Sequence, residues 1–208
     1  MEVLIFLGII IAIVIASVLG CKKVDEEIST YNDNKEINKT QFEKWVSENN
    51  LPLKPQLYLR TNGIEVFVFP SEEKNKLFIW ENYYYSNEKN AHYLTNIQNN
   101  NYSIDFCELT KIETIIKTKT SGPSTGDVIV GGLIAGNIGV ASAMSKDKKE
   151  ICEYKVSLYT TNITNPVIDL HLINYASNTA PATDENLTDA DEFAHKLSAT
   201  VNAITSKQ

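Results

Sequence analysis

The strongest pattern in the chain is an unbroken apolar run at its N-terminus. Residues 3–20 read VLIFLGIIIAIVIASVLG, with no charge and a single hydroxyl side chain, Ser17. A helix of about 18 residues is roughly 27 Å long, which is enough to cross the hydrocarbon core of a membrane. A core helix of a soluble domain would show a polar stripe, and this run has none. The pattern therefore predicts a transmembrane anchor over residues 3–21.

The residues that flank the run indicate how it is held. Lys22 and Lys23 follow it whereas Glu2 precedes it, and the positive-inside rule then places the rest of the chain in the cytoplasm. The run 18–21, VLGC, is a partial lipobox, so the alternative is a lipoprotein acylated at Cys21 and anchored outside the cell. A cleaved secretory signal fits less well, because the first two residues carry no basic side chain. We expect a retained single-pass anchor in the cell membrane.

The next stretch, residues 22–39, is polar and charged with almost no apolar periodicity, a composition typical of a flexible linker. The run 40–43, TQFE, matches a capping box. It predicts that a short helix begins there with Phe42, Trp45 and Val46 on one side. Pro52 then ends the helix. The expected organisation is an anchor (3–21), a polar linker (22–39) and a domain (40–208).

Strand patterns dominate that domain. Residues 56–60 and 64–69 flank Asn62 and Gly63, and Asn-Gly is a strong hairpin signal because both residues tolerate positive φ. Helix periodicity returns only over residues 189–204. Because helices do not alternate with strands, we predict a mainly β (α+β) fold, an antiparallel barrel or sandwich capped by a C-terminal helix. The further predicted strands are 77–80, 102–109, 112–120, 151–160 and 167–173.

A glycine-rich apolar insert, residues 126–145, interrupts the strands. Gly131, Ala135, Gly139 and Ala143 are spaced by four, so a helix would carry them on one face of small residues suited to close packing. A second membrane span is disfavoured, because it would leave the early and late strands on opposite sides of the bilayer with unpaired edges. We expect the insert to pack on its own domain or on a partner, including a second copy of the chain.

Part of this insert, residues 127–136 (DVIVGGLIAG), looks like the dinucleotide-binding fingerprint of flavin enzymes. Leu133 stands where that fingerprint needs the glycine that lets the backbone approach the pyrophosphate. The rest of the chain also offers too few strand–helix units for such a domain. A dinucleotide-binding enzyme is therefore a remote alternative.

Charge and composition narrow the function further. The 208 residues include 19 Lys and Arg against 26 Asp and Glu, a net charge of −7, which argues against a nucleic-acid partner. Three Cys and three His are too few and too scattered for a zinc site. Cys107 and Cys152 lie in strand-like segments, where we expect buried, inert thiols. We expect no catalytic residue, no metal and no cofactor.

Two acid–histidine pairs could carry chemistry but have a simpler interpretation. Asp169 and His171 fall on one face of a strand, and Asp191 and His195 are one turn apart on the last helix. Such pairs are most often solvated surface groups. We therefore expect neither pair to form a site.

The late strands resemble a known family. The runs 152–159 (CEYKVSLY), 165–172 (NPVIDLHL) and 102–113 (YSIDFCELTKIE) resemble uncharacterised bacterial and prophage proteins with a PH-like domain, often found beside a SHOCT module. A glycine-rich segment that ends in Lys residues interrupts the strands of those proteins too. The resemblance covers residues 57–204 and implies a PH-like domain without catalytic residues. The expected protein is a membrane-anchored, non-catalytic binding or scaffold protein that acts by protein interaction or self-association.

Overall fold

The structure is a computed structural model, and it describes residues 2–61, 63–85, 95–119, 125–128, 150–174 and 184–207. Only the backbone is described for residues 2–19, 21, 117–119, 125–128, 150–152, 174 and 184. A long helix, α1 (Glu2–Glu48), precedes two antiparallel sheets and a final helix, α2 (Asp184–Thr205). The predicted mainly β fold with a C-terminal helix is confirmed, and the two sheets are compatible with a β-sandwich.

The N-terminal sheet is a simple meander of four strands in the order β1-β2-β3-β4. Thr61 pairs with Ile64, so the predicted hairpin is confirmed, and Gly63 has the positive φ of 79° that this tight turn requires. Asn75 has a φ of 52° in the turn before β3. The strands are β1 (Leu57–Thr61), β2 (Ile64–Ser71), β3 (Lys76–Tyr85) and β4 (Asn96–Asp105).

The C-terminal sheet has the order β6-β5-β7-β8. A 3-10 turn, Phe106–Glu108, separates it from β4, so the predicted strand 102–109 ends earlier than expected. The short edge strand β6 was not predicted. β7 and β8 pair with a register irregularity between Tyr154 and Lys155. The strands are β5 (Leu109–Lys119), β6 (Thr125–Val128), β7 (Glu150–Thr160) and β8 (Val167–Asn174).

The main core lies between the two sheets and under α2, as the alternation of apolar residues predicts. α2 packs on β1, β5 and β8, and it begins at Asp184, five residues before the predicted start at residue 189. Full burial of each valine, leucine or isoleucine side chain in this core contributes about 1.5–3 kcal/mol. The most buried members are Val66, Val68, Leu77, Ile79, Ile116, Tyr154, Val156, Leu158, Leu170, Leu172, Ala190, Leu197 and Val201.

Residues 22–39, predicted to be a flexible linker, are helical in the structure and continuous with the rest of α1. Thr40, expected as an N-cap, lies inside the helix and donates its hydroxyl hydrogen to the Glu36 carbonyl at 3.0 Å. The polar composition indicated a solvated linker, but one side of this stretch packs on the domain, and its polar residues Glu27 and Asn38 are buried.

The predicted anchor lies almost wholly outside the described side chains. Across residues 3–21 the backbone is helical, but only Gly20 has a described environment, and it is exposed. Among the residues whose side chains the structure describes, no helix is both long and apolar enough to cross a membrane. The insert 126–145 also falls outside the described residues, apart from the backbone of β6.

Candidate functional site

The C-terminal end of α1 is fixed beside the N-terminal sheet by a Schellman-type cap. The Asn50 N–H donates to the Ser47 carbonyl at 3.0 Å. The Leu51 N–H donates to the Val46 carbonyl at 2.9 Å, and both side chains belong to one small apolar cluster. Asn50 adopts a left-handed φ of 47°, which asparagine tolerates better than most residues. The cap therefore determines where the helix stops and how the chain turns into β1.

Aromatic rings join the last turns of α1 to the outer face of the N-terminal sheet. The Phe42 ring centroid lies 4.6 Å from that of Phe67 and 5.6 Å from that of Trp80. The Trp45 ring lies 5.3 Å from Trp80 and 6.0 Å from Phe69. Aromatic pairs at such distances contribute about 0.5–1.5 kcal/mol each beyond the area that they bury. We call these five side chains the aromatic contact.

Nearer its N-terminus, the docked part of α1 meets β4 through amide groups. The Asn34 amide donates to the Thr95 carbonyl at 2.5 Å, and the Asn99 amide donates to Gln41 Oε1 at 2.7 Å. Asn38 is buried in the same contact beside a polar cavity of about 180 Å³. Because this region buries mostly polar groups, the aromatic contact provides most of the hydrophobic stabilisation of the docked helix.

A carboxylate, Glu65, organises the polar part of the same sheet face. Tyr84 donates its hydroxyl hydrogen to Glu65 Oε2, and the Asn82 amide donates to the same oxygen at 3.2 Å. The Trp80 indole donates to Asn82 Oδ1 at 2.6 Å. Burial, together with the hydrogen bond to Glu65, raises the pKa of Tyr84 above its usual range. The network fixes the indole of Trp80 within the aromatic contact.

A second polar cluster lies where β8, an edge strand, meets the inner face of the N-terminal sheet. Glu81 of β3 is 0% exposed, and its Oε1 accepts the His171 backbone N–H at 2.8 Å. The Thr61 hydroxyl donates to the Leu172 carbonyl at 2.7 Å. Side chains thus satisfy backbone groups of the edge strand that a further strand would otherwise pair with. We call this contact between β3 and β8 the seam.

Hydrogen bonds connect the buried carboxyl of Glu81 to the protein surface. The Tyr83 hydroxyl lies 3.0 Å from Glu81 Oε1 and also contacts His171 Nδ1. His171 Nε2 lies 3.5 Å from Glu153 Oε1, and both of these side chains are half-buried. The groups form a continuous chain from Glu153 through His171 and Tyr83 to Glu81.

Burial dominates the electrostatics of this chain. Desolvation raises the pKa of Glu81 from 4.5 to about 7, although hydrogen bonds from His171, Tyr83 and Asn100 oppose the shift. Desolvation and the neighbouring Glu81 raise the pKa of Tyr83 above its usual range, so its hydroxyl stays protonated. A pKa near 7 means that Glu81 changes charge near neutral pH.

Asp169, on the same strand as His171, forms a separate ion pair with Lys155 of β7. Its carboxylate accepts from Lys155 Nζ at 2.5 Å and from the Ser157 hydroxyl at 2.6 Å. Burial opposes ionisation, but these hydrogen bonds outweigh it and lower the pKa of Asp169. The expectation that Asp169 and His171 form a simple solvated pair is wrong, because each bonds to different partners and His171 reaches the other sheet.

The other candidate residues from the sequence, Asp191, His195 and Cys107, do not lie in the seam. Asp191 accepts the Tyr154 hydroxyl hydrogen at 2.8 Å, while His195 is exposed one turn away. Cys107 was expected to be buried, but it lies in the 3-10 turn and is exposed. It borders a cavity of about 480 Å³ with Phe106 and Ile204.

The site residues proposed for the membrane and for packing are only partly described. Lys22 and Lys23 are exposed on α1. The side chain of Cys21 lies outside the described part of the chain. The whole small-residue face also lies outside it, namely Gly131, Ala135, Gly139 and Ala143.

Sequence reasoning missed the seam, although one signal was present. In β3, Leu77, Ile79, Glu81 and Tyr83 occupy alternate positions that share the inner face. A carboxylate at an inward position of an apolar strand indicates a specific polar partner. Nothing local identifies that partner, because His171 is 90 residues away.

The arrangement can hold and move a proton between the two sheets. Among the residues described, no group of three or more His, Cys, Asp or Glu side chains could hold a metal ion. Comparison with protein-family models, with curated proteins and with solved structures finds no match to this chain.

Proposed function

We propose that this chain is a non-catalytic binding or scaffold protein held at a cell membrane by its N-terminal helix. Its β domain lies in the cytoplasm and acts by protein interaction or self-association. The observation that carries the proposal is the aromatic contact, which docks α1 on the domain and joins the domain to the apolar run 3–21 without a break in the helix. A helix used only as a flexible tether would not need an aromatic docking face.

Within this proposal the domain is PH-like. Support comes from the four-stranded meander, the second antiparallel sheet and the C-terminal helix packed on both sheets. A glycine-rich segment also interrupts the strands of the resembled family, and in this chain the insert 126–145 lies between β5 and β7. The early turns, residues 61–63 and 71–73, lack the basic cluster with which many PH domains bind lipid phosphates, so the proposed activity is binding in general and not phosphoinositide recognition.

Two features support the cytoplasmic side. Lys22 and Lys23 follow the apolar run, as the positive-inside rule requires for a cytoplasmic domain. Cys107 carries an exposed, unpaired thiol, which suits a reducing compartment.

The exposed thiol of Cys107 also provides the test of topology. Intact cells that express the full chain are treated with a membrane-impermeant maleimide, before and after permeabilisation. A cytoplasmic domain is labelled at Cys107 only after permeabilisation, and Cys107→Ser removes that labelling. Labelling of Cys107 in intact cells would reject the cytoplasmic placement.

The alternative, a cell-surface lipoprotein, rests on the run 18–21 and is tested by labelling with a fatty-acid analogue. The anchor proposal expects the chain to remain in carbonate-washed membranes without incorporating label. Label that is lost in Cys21→Ala would establish the lipoprotein instead. Recovery of the full chain in the supernatant would reject both.

The interaction itself is tested by crosslinking the full chain in membranes. We expect a discrete crosslinked species, formed either by two copies or with one partner protein. The variant Gly139→Leu places a bulky side chain on the small-residue face and should weaken that species if the insert packs against the partner. A chain that crosslinks to nothing in its native membrane contradicts the binding proposal.

A further inference from the structure

The seam between β3 and β8 depends on one buried carboxyl. Glu81 Oε1 accepts from the His171 backbone N–H at 2.8 Å and lies 3.0 Å from the Tyr83 hydroxyl oxygen. Asn100 lies 3.5 Å from the other oxygen, Oε2. Glu81 therefore holds an edge strand, whose free backbone groups would otherwise need water or another strand.

The charged side chains on the elements packed around Glu81 make their contacts elsewhere. Among the described residues, no cationic side chain contacts the Glu81 carboxylate directly. Lys155 of β7 is bonded to Asp169, whose negative charge makes ionisation of Glu81 harder. Tyr102 of β4 faces the same carboxyl. On the other face of the sheet, Arg60 pairs with Glu65 at 3.5 Å.

The chain of hydrogen bonds can carry the proton of Glu81 outward. Protonated Glu81 donates to Tyr83 Oη while Tyr83 donates to neutral His171 Nδ1. A concerted shift breaks the O–H bonds of Glu81 and Tyr83 and forms new bonds at Tyr83 Oη and His171 Nδ1. Glu81 is then an anion and His171 an imidazolium, which can release its Nε2 proton beside Glu153 to solvent. One proton leaves, and no other reactant is needed.

We propose that Glu81, Tyr83 and His171 form a proton-controlled latch that fixes β8 to the N-terminal sheet and loosens when Glu81 loses its proton. In the protonated state the seam buries a neutral group with satisfied hydrogen bonds. In the ionised state, once the imidazolium has lost its proton, the seam buries an uncompensated charge, which is costly in a dry interior. Opening β8 lets water reach the carboxylate and relieves this cost. The near-neutral pKa of Glu81 agrees with a latch that works in the physiological range.

Hydrogen–deuterium exchange of the full chain in detergent micelles tests the latch. Protection is measured over residues 167–174 at about pH 6 and about pH 8.5 and corrected for the intrinsic pH dependence of exchange. Residues 64–71 of β2 provide the internal reference. We expect protection of 167–174 relative to β2 to fall by about tenfold or more at the higher pH, since opening is linked to loss of one proton.

Three variants make the result specific. Glu81→Gln keeps an acceptor for the His171 N–H but cannot ionise, so protection of 167–174 should become independent of pH. Tyr83→Phe removes a donor that stabilises the carboxylate, so the loss of protection should move to higher pH. Glu113→Gln alters another strand carboxylate that accepts a tyrosine hydroxyl hydrogen, from Tyr159 at 2.6 Å, and should keep the pH dependence of the unmodified chain.

The proposal is overturned by any of three results. The first is unchanged protection of 167–174 between the two pH values. The second is a loss of protection in Glu81→Gln equal to that of the unmodified chain. The third is an equal loss in β2 and β8, which would indicate global destabilisation. The latch does not depend on the membrane proposal, so either can fail alone.

Discussion

Replacing Trp45 by alanine should release the end of α1 from the N-terminal sheet. The Trp45 ring lies within 5.3–6.4 Å of the rings of Trp80, Phe69 and Phe78, and it is half-buried. Truncation of a fully buried tryptophan costs about 3–5 kcal/mol. Since Trp45 is only half-buried, we expect a loss of about 2–3 kcal/mol in the free energy of undocking or unfolding, whichever comes first.

The expected loss can be divided between burial and ring contacts. A double-mutant cycle with Phe78→Leu should show a coupling of about 0.5–1.5 kcal/mol with Trp45→Ala, the usual value for an aromatic pair. For a urea dependence of about 2 kcal/mol per molar, a loss of 2–3 kcal/mol moves the midpoint down by roughly 1–1.5 M. Both quantities are large enough to measure.

The assay uses intrinsic fluorescence, because the only two tryptophans of the chain, Trp45 and Trp80, lie in this contact. In Trp45→Ala the remaining fluorophore is Trp80, which is 4% exposed while α1 is docked. Its emission should shift to longer wavelength as the helix leaves, before the far-ultraviolet signal of the sheets is lost. Lys44→Ala, on the exposed side of the same turn, should change the midpoint very little. An unshifted Trp80 emission and an unchanged midpoint in Trp45→Ala would refute the docked helix.

Substitutions at three positions test separate parts of the structure. Glu81→Gln should stabilise the protein by up to about 3 kcal/mol at pH 8 and not at pH 4.5. The pKa of Glu81 is raised from 4.5 to about 7, so the stability of the unmodified chain falls as the pH rises through that interval. Equal urea midpoints of both chains at every pH would contradict this. Tyr154→Phe should cost about 1–2 kcal/mol by removing the hydrogen bond to Asp191, as measured by thermal unfolding, and a neutral result would show that the bond is not formed. Asn50→Ala should cost about 1 kcal/mol at its left-handed φ while Asn50→Gly should be nearly neutral, so equal losses in the two variants would exclude the cap.

Alternation of apolar residues was enough to predict most of the strands and the final helix. Val66, Val68, Leu77 and Ile79 follow the period of two that places them in the core, and the Asn-Gly turn sets the first hairpin in register. β6 escaped prediction because an edge strand of four residues carries too short a pattern.

The helical stretch over residues 22–39 could not be recognised from its own composition. Its contacts lie beside β4: the Asn34 amide donates to the carbonyl of Thr95, the residue before β4, and Asn38 is buried in the same region. Helices in proteins owe most of their stability to this kind of tertiary packing. The seam was missed for a related reason, since Glu81 and His171 meet only when the two sheets come together.

The unbroken α1 also couples the rotation of the domain to that of the proposed anchor. A helix advances about 1.5 Å and turns about 100° per residue, so the stretch between Lys22 and Asn34 sets an azimuth as well as a height. One inserted residue in that stretch would swing the whole domain about 100° around the helix axis, whereas seven would return it to nearly its original bearing. For the proposed membrane-anchored protein, the number of residues between the apolar run and Asn34 therefore sets the direction in which the β domain presents its surfaces to neighbours.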